Sequence, residues 1–456
     1  MLDKLTGGVN ALLEHYILAV MLLAVAALTV GGVGSPEAVG ATGLILCAAG
    51  LTRGAAKVDL WALAALAAYL VIGDISSYVT YGYLTGGYTA TQSALFVLYL
   101  LMACLDRGEL LLFRRLSVLW AGCVAAHGLA QFLGKALDGS AGRLSGMMGN
   151  PNALGIFLVT AWFGLTAWMP GEEETGLLPN LLRRLEPLIL TALALTLSMG
   201  SFVALAAGMA YLAAGWLRRE GRKAAFSRAC RMLAKAALCV GLGVLMYFTA
   251  RRTAIPWLCL VELVYLLALM ALWERLDRFL REIPWAAAAM SGFGVLVAAA
   301  TIAIRPSSIA TFAERLEMMR NGLRYILVNP LLGVGPYQWR LLNLRDADPY
   351  FNTWHIHNIP IHIAVELGLP ALAALVVIVI RAYRKKGPNR AGFTALVCHC
   401  MIDTGFFYLG TMSLMTATVG EPEEGGAQLS GAAVKLLFLA AGAQFIYSIC
   451  MARVLS

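Results

Sequence analysis

Residues 284–304 read PWAAAAMSGFGVLVAAATIAI, a run without a single charged side chain. Coiled as an α-helix at about 1.5 Å per residue, it is about 30 Å long, the thickness of a bilayer's hydrocarbon core. Lipid offers nothing for an exposed backbone N–H or C=O to bond, so such a run must satisfy itself as a helix. The same reasoning applies to HYILAVMLLAVAALTVGGV at 15–33 and LVELVYLLALMALW at 260–273. Composition agrees across the 456 residues: 60% are apolar and 13% charged, where soluble domains carry roughly a quarter charged. The alternating pattern of a β-barrel is missing. The fold class read from this is all-α integral membrane, a polytopic bundle of about 12 to 14 transmembrane helices.

Apolar runs place spans near 15–33, 38–52, 58–75, 91–106, 115–134, 152–169, 187–198, 201–217, 232–249, 254–273, 283–304, 359–380, 391–408 and 431–451. The seventh is short, and a break is expected where Leu197, Ser198, Met199, Gly200 and Ser201 lead into the eighth. Basic residues test the segmentation, because they concentrate on cytoplasmic loops. With the N-terminus inside, 24 of the 35 Lys and Arg fall on inner segments. That puts both termini on the cytoplasmic side. Residues 1–456 read as one polytopic domain, with no second soluble domain and no low-complexity linker.

Of the basic residues left outside, six lie in the single segment 305–358. Connections that long are usually functional or disordered. This one has the periodicity of a helix over SSIATFAERLEMMRNGLRYILV, with Phe312, Leu316, Met319, Leu323 and Leu327 on one face and Arg315, Arg320 and Arg324 beside it. NPLLGVGP then ends it through Pro330, Gly333, Gly335 and Pro336. The simplest structural reading is an amphipathic helix on lipid headgroups. Residues 353–362, TWHIHNIPIH, hold three of the chain's six histidines at the start of the next apolar run.

The stretch AERLEMMRNGLRYILVNPLLGVGPYQW (313–339), with HIHN at 355–358 and IAVELGLPALAAL at 363–375, resembles the O-antigen ligase and bacterial polysaccharide polymerase superfamily. GRLSGMMGNPNALGIFL (142–158) resembles its Arg-x-x-Gly…Asn-Pro-Asn segment, and HCMIDTGFF (399–407) its closing His…Asp segment. The resemblance implies a metal-independent glycosyltransferase working outside the cytoplasmic membrane. The donor would be an undecaprenyl-diphosphate-linked oligosaccharide, the acceptor a hydroxyl on a glycan, lipid or protein. Membrane lipids are the other expected partners, with no nucleic acid and no cofactor. The topology from charge counting places the Arg143–Asn152, Ser198–Ser201 and Arg315–Asn358 links outside, which makes 305–358 the expected extracytoplasmic catalytic loop.

Such chemistry needs a clamp for a diphosphate leaving group and a group to take or orient the acceptor proton. Arginine's planar fork pairs with phosphate oxygens and keeps its charge. Imidazole titrates near ambient pH. His357, in the His-Asn position of the motif, is the expected general base or acceptor-orienting residue; otherwise it bonds backbone at a helix start. Arg315 is the first expected diphosphate contact and is grouped with His357 as catalytic. Arg143, Arg320 and Arg324 come next. His355 and His362 flank the motif position, and His362 lies one turn past His357. Asn358 reads equally as a helix cap, and Asn150 and Asn152 support the upstream segment. Glu366 and Asp403 are acids inside spans, either functional or paired structurally.

Where many members of the superfamily carry Arg in a Ser-Arg-Gly turn, this chain has Met199, so the clamp must rest on the loop arginines and Arg143. Asp346-Ala-Asp348 imitates a metal-binding pair, but a lipid diphosphate donor needs no metal and none is expected. The aromatic link YVTYGYLTGGY, Tyr78 to Tyr88, serves either as an interfacial belt or as a stacking surface for sugars. The rival from another class is a transporter or flippase of lipid-linked glycans. It would show repeated halves with interrupted helices, and no such repeat is visible.

Overall fold

The computed structural model describes residues 15–30, 35–252, 255–304, 308–346, 353–385, 387–419 and 426–455. Nearly all of them are helical. Among the described residues six helices are long and apolar enough to cross a membrane: Leu60–Tyr81, Arg107–Leu137, Pro151–Trp168, Met199–Glu220, Arg222–Arg252 and Gly431–Ala452. Shorter apolar helices, such as Tyr16–Thr29 and Pro36–Leu51, accompany them. Among the described residues a single two-stranded sheet pairs Ala56–Val58 antiparallel with Ala427–Leu429. The fold is thus an all-α multi-pass membrane bundle.

Helix starts follow local chemistry. Ser35 and Asn150 each precede a proline in the first turn and accept a backbone N–H, and Asp59 takes two, from Trp61 and Ala62. The break after the seventh apolar run occurs as expected. Glu186–Thr196 ends at Leu197, whose φ is 45°, and Ser198 caps Met199–Glu220. Two spans read as continuous are not. The run 359–380 splits at Gly368 into Ile359–Leu367 and Leu369–Arg384. At Gly368 φ is 86°, and a side chain would meet the carbonyl of Leu331 at 2.3 Å. The run 391–408 stops at Cys400, and a further helix, Leu409–Val419, occupies residues expected to form a loop.

The chain forms two compact units, one from residues 1–117, 314–387 and 406–456, the other from 118–313 and 388–405. In the first unit, Pro36–Leu51 and Gly431–Leu455 pack closely because Gly43 leaves room for the Phe445 ring. In the second, the buried carboxylate of Glu186 is fully engaged. It accepts the indole N–H groups of Trp162 (3.2 Å) and Trp273 (2.9 Å) and pairs with Lys235 at 2.7 Å. Charges at membrane depth persist only with such partners.

Candidate functional site

The histidine stretch lies in the first unit. Asn358 caps the Ile359–Leu367 helix, its Oδ1 accepting the Ile361 N–H at 3.0 Å. The cap fixes the phase of the helix, so His362 follows one turn in and Glu366 a turn later. Both are buried, at 0% and 1% exposure. His362 Nδ1 accepts the Ile356 N–H at 3.4 Å, which assigns the neutral ring's proton to Nε2. That Nε2 lies 3.2 Å from His355 Nδ1 and 3.4 Å from Glu366 Oε2. His355 stacks on Phe407 with ring centroids 4.5 Å apart. Burial, then the neighbouring His357, push the His355 imidazole down to about 4, so it is neutral at pH 7. His357 is half-buried.

Glu366 has backbone partners. Its carboxylate accepts the N–H of Trp339, at 3.3 Å, and that of Tyr337. Tyr337 has φ of 63°, in the left-handed region that an aromatic residue adopts only when its surroundings force it. The forcing is visible. The turn from Asn329 to Pro336 runs along the end of the Ile359–Leu367 helix, and its N–H groups satisfy the helix's last carbonyls. Val334 donates to Val365 (2.8 Å) and Gly335 to Glu366 (3.0 Å), while Leu369 donates back to Pro330 (2.7 Å). Ser76 adds its hydroxyl to the Leu332 and Glu366 carbonyls, and Tyr81 donates to the Pro336 carbonyl. Gly333 allows the approach, since any side chain there would meet the Glu366 backbone at 2.3 Å. Burial raises the Tyr337 hydroxyl well above the usual phenol range, and the Glu366 charge adds to it.

The arginine-bearing helix, Ser308–Val328, packs against this framework through Met318, which clusters with Trp339, Ile356 and Val365. Gly322 lies against Ile356 and Ile361. Of the apolar stripe read from periodicity, Met319 packs against this cluster while the leucines stay exposed. Leu316, Leu323 and Leu327 are 51%, 52% and 83% exposed. Arg320 and Arg324 are exposed and Arg315 is half-buried. The Asp346-Ala-Asp348 pair falls at the edge of the described residues, with Asp348 outside them.

Arg143, Asn150, Asn152 and Asp403 belong to the second unit. Arg143 works on the helix break. Its Nε donates to the Thr196 carbonyl at 2.8 Å and its Nη2 to Asn152 Oδ1 at 2.6 Å, while the Leu144 N–H donates to the Leu195 carbonyl at 2.9 Å. These are carbonyls a continuing helix would have used. Asn150 Oδ1 caps Pro151–Trp168 through the N–H groups of Asn152 and Ala153. Asp403 is 1% exposed and accepts the Thr404 N–H at 2.8 Å. Its other oxygen and the His399 ring both lie 3.5 Å from the space a side chain on Gly200 would fill. A carboxylate thus sits at the positive end of Met199–Glu220, beside the turn that has Met199 in place of Arg.

A cavity of about 440 Å³ in the first unit runs up to His355 and Trp354 from Tyr69, Tyr88 and Gln92, with Tyr337 in its wall. Of these, sequence reasoning missed Tyr69, Gln92 and Tyr337. The one trace of Tyr337 is the Gly335-Pro336 pair before it, read only as a helix stop. Residues 188–376 match the family model described as O-antigen ligase. The match takes in the loop arginines, the histidine stretch and Glu366, and leaves out Arg143 and Asp403. No curated protein matches the chain.

Proposed function

We propose that the chain, whose residues 188–376 match the family model described as O-antigen ligase, has a ligase-like or polymerase-like part in polysaccharide biosynthesis and transfers an undecaprenyl-diphosphate-linked saccharide to a hydroxyl acceptor on the outer face of the cytoplasmic membrane. One observation carries the reading: the helix with Arg315, Arg320 and Arg324 and the loop with His355 and His357 pack into a single cluster through Met318, Gly322 and Ile356. A cationic helix and a set of imidazoles are what a diphosphate leaving group and an acceptor proton require. In this proposal Arg315, supported by Arg320 and Arg324, holds the diphosphate. His357 receives or orients the acceptor proton. His355, His362 and Glu366 position that loop, with His362 passing its Nε2 proton toward His355 Nδ1 or Glu366.

The test is reconstitution. Purified protein with a defined undecaprenyl-diphosphate oligosaccharide and a panel of glycan, lipid and protein acceptors should give a glycosylated product and free undecaprenyl diphosphate. If no acceptor is modified while the donor crosses the bilayer of a proteoliposome, the transporter reading replaces this one.

A further inference from the structure

The cavity beside His355 has a property that the proposed clamp does not explain. Gln92 and Tyr88 line it and are 5% and 8% exposed; the Tyr69 hydroxyl is near both and interacts with them, yet among the described residues neither the Gln92 amide nor the Tyr88 hydroxyl has a partner at good hydrogen-bond geometry, so both are at best weakly met. An unmet buried polar group is costly, and folded proteins keep few of them. Gln92 presses its amide against the bare Cα of Gly73, which holds it in place. The walls are aromatic: Tyr337 meets Tyr88 edge-on at 5.7 Å and Trp354 at 6.5 Å, and Trp354 stands 56% exposed at the rim. Tyr337 belongs to that wall at the expense of a left-handed backbone. Strain of this kind, held by Glu366, is a cost a merely structural wall would not need.

Among the described residues no Lys, Arg, Asp or Glu lines the cavity, and the Arg340 guanidinium stacks on Trp354 at the rim, 4.0 Å from the ring centroid. A diphosphate would find no counter-charge inside it, and a polyprenyl chain would leave the amide and hydroxyl poorly met. A pyranose ring meets both demands, offering C–H faces to aromatic rings and hydroxyls to an amide that both donates and accepts. At about 440 Å³ the cavity is of ligand-binding size and takes a short saccharide rather than a polymer. We propose that it is the acceptor subsite, seating an uncharged sugar ring between Tyr88, Tyr337 and Trp354 with Gln92 bonding its hydroxyls. The assignment of that sugar to the acceptor rests on the transferase reading above; a saccharide site as such does not.

The test uses the full chain in lipid nanodiscs free of glycoside detergent, with methyl glycosides and short neutral oligosaccharides as probes, and saturation-transfer NMR as readout. Wild type should bind at least one probe, Gln92→Leu should weaken it about tenfold or more, and Tyr88→Phe less. Gln92→Leu should also melt no lower than wild type, because it removes an unmet amide; a structural glutamine would melt lower. In transfer assays the same variant should raise the acceptor KM and leave the donor KM unchanged. Active protein whose saccharide binding and acceptor KM ignore Gln92→Leu and Tyr88→Phe overturns the proposal and spares the transferase reading. Binding that depends on Gln92 in a protein that transfers nothing does the reverse, keeping the saccharide site while sinking the reading. If wild type binds no probe but loses a co-purified lipid on Gln92→Leu, the cavity is a lipid site and the proposal is wrong.

Discussion

Glu366 is where structure and sequence give different tasks to one side chain, and two substitutions separate them. Glu366→Leu removes the acceptor for the buried N–H groups of Trp339 and Tyr337. Each orphaned donor costs about 1–3 kcal/mol, so the pair costs roughly 2–6 kcal/mol, less what a better-buried leucine returns. Tyr337 then loses the carboxylate that helps to offset a backbone conformation costing on the order of 1–3 kcal/mol, only the backbone, Ser76 and Tyr81 bonds of the turn remain, and the cavity wall should relax. Glu366→Gln keeps an acceptor oxygen of the same reach and should cost about 1 kcal/mol or less. Thermal unfolding in detergent should therefore fall by on the order of 10 °C for Leu and by only a few degrees for Gln. Transfer should survive in Gln and be lost in Leu. The decisive refutation is Glu366→Gln melting like wild type with turnover abolished, since that makes the carboxyl a proton-transfer group. Leu and Gln melting alike would show instead that the carboxylate does not hold the Tyr337 turn.

Other expectations follow from the same geometry. Arg315→Ala should abolish transfer without lowering membrane insertion, and Arg315→Lys should restore only part because a point charge loses the paired fork; normal transfer by the Ala variant would make Arg315 a headgroup anchor. His357→Ala should lower turnover by about 10²–10⁴ with donor binding nearly unchanged, whereas His362→Ala should act mainly by lowering the melting temperature; weakened donor binding at preserved turnover would make His357 a diphosphate ligand. His355, depressed to about 4 when folded, takes its proton later than the unfolded chain does as pH falls, so the stability it contributes is full above the usual imidazole range near 6.5 and is lost between there and about 4. Melting curves from pH 7.5 down to 4.5 should show that loss, and His355→Gln should flatten it; an unchanged pH profile would show that the ring is not held neutral. Cysteines at Asp138 and Glu173, both exposed, should react with an impermeant reagent only from opposite sides of the membrane, and labelling of both from outside would end the proposed topology.

The architecture was legible because lipid permits so little else. Each apolar run from 15–33 to 283–304 coincides with a helix, though some helices run well past it, as Arg222–Arg252 does past 232–249, and even the break near Leu197 was announced by the Leu-Ser-Met-Gly-Ser turn. What hydropathy could not see were interruptions carried by single residues. Gly368 divides a run that stays apolar on both sides, because its effect lies in a φ of 86° and not in polarity. Leu409–Val419 is short and rich in Thr and Ser, below the threshold of an apolar window, though Thr416 and Thr418 turn their hydroxyls back onto the Met412 and Leu414 carbonyls inside the helix. The period of the loop helix is legible, but it does not say which side meets protein. Leu316, Leu323 and Leu327 face out, and a smaller set, Met318 and Gly322, makes the contact. In a soluble protein an apolar stripe of that size would have to be covered; in a chain bathed in lipid it need not be.

The candidate site was legible only as far as its chemistry is stated by residue type. Arginines and histidines stand out in a chain that is 13% charged, and the Asn-Ile-Pro after His357 announces a capped helix start. The roles that geometry adds depend on partners far apart in sequence. Arg143 reads as a phosphate ligand until its Nε is found on the Thr196 carbonyl, 53 residues away, where it closes the end of a broken helix. Glu366 reads as a stray acid until it is found on two N–H groups of the turn that carries Tyr337. These contacts make one physical argument. A helix that stops inside a membrane leaves carbonyls and N–H groups unmet, and the chain meets them with polar side chains from its own loops. The side chains recruited for that purpose are the same types a phosphate or sugar site uses. Sequence therefore finds such residues readily but cannot divide them between holding the breaks and holding the substrate. Gln92 and Tyr88 serve no such break, and with only the Tyr69 hydroxyl close to both they are the buried polar groups that the saccharide proposal assigns to a ligand.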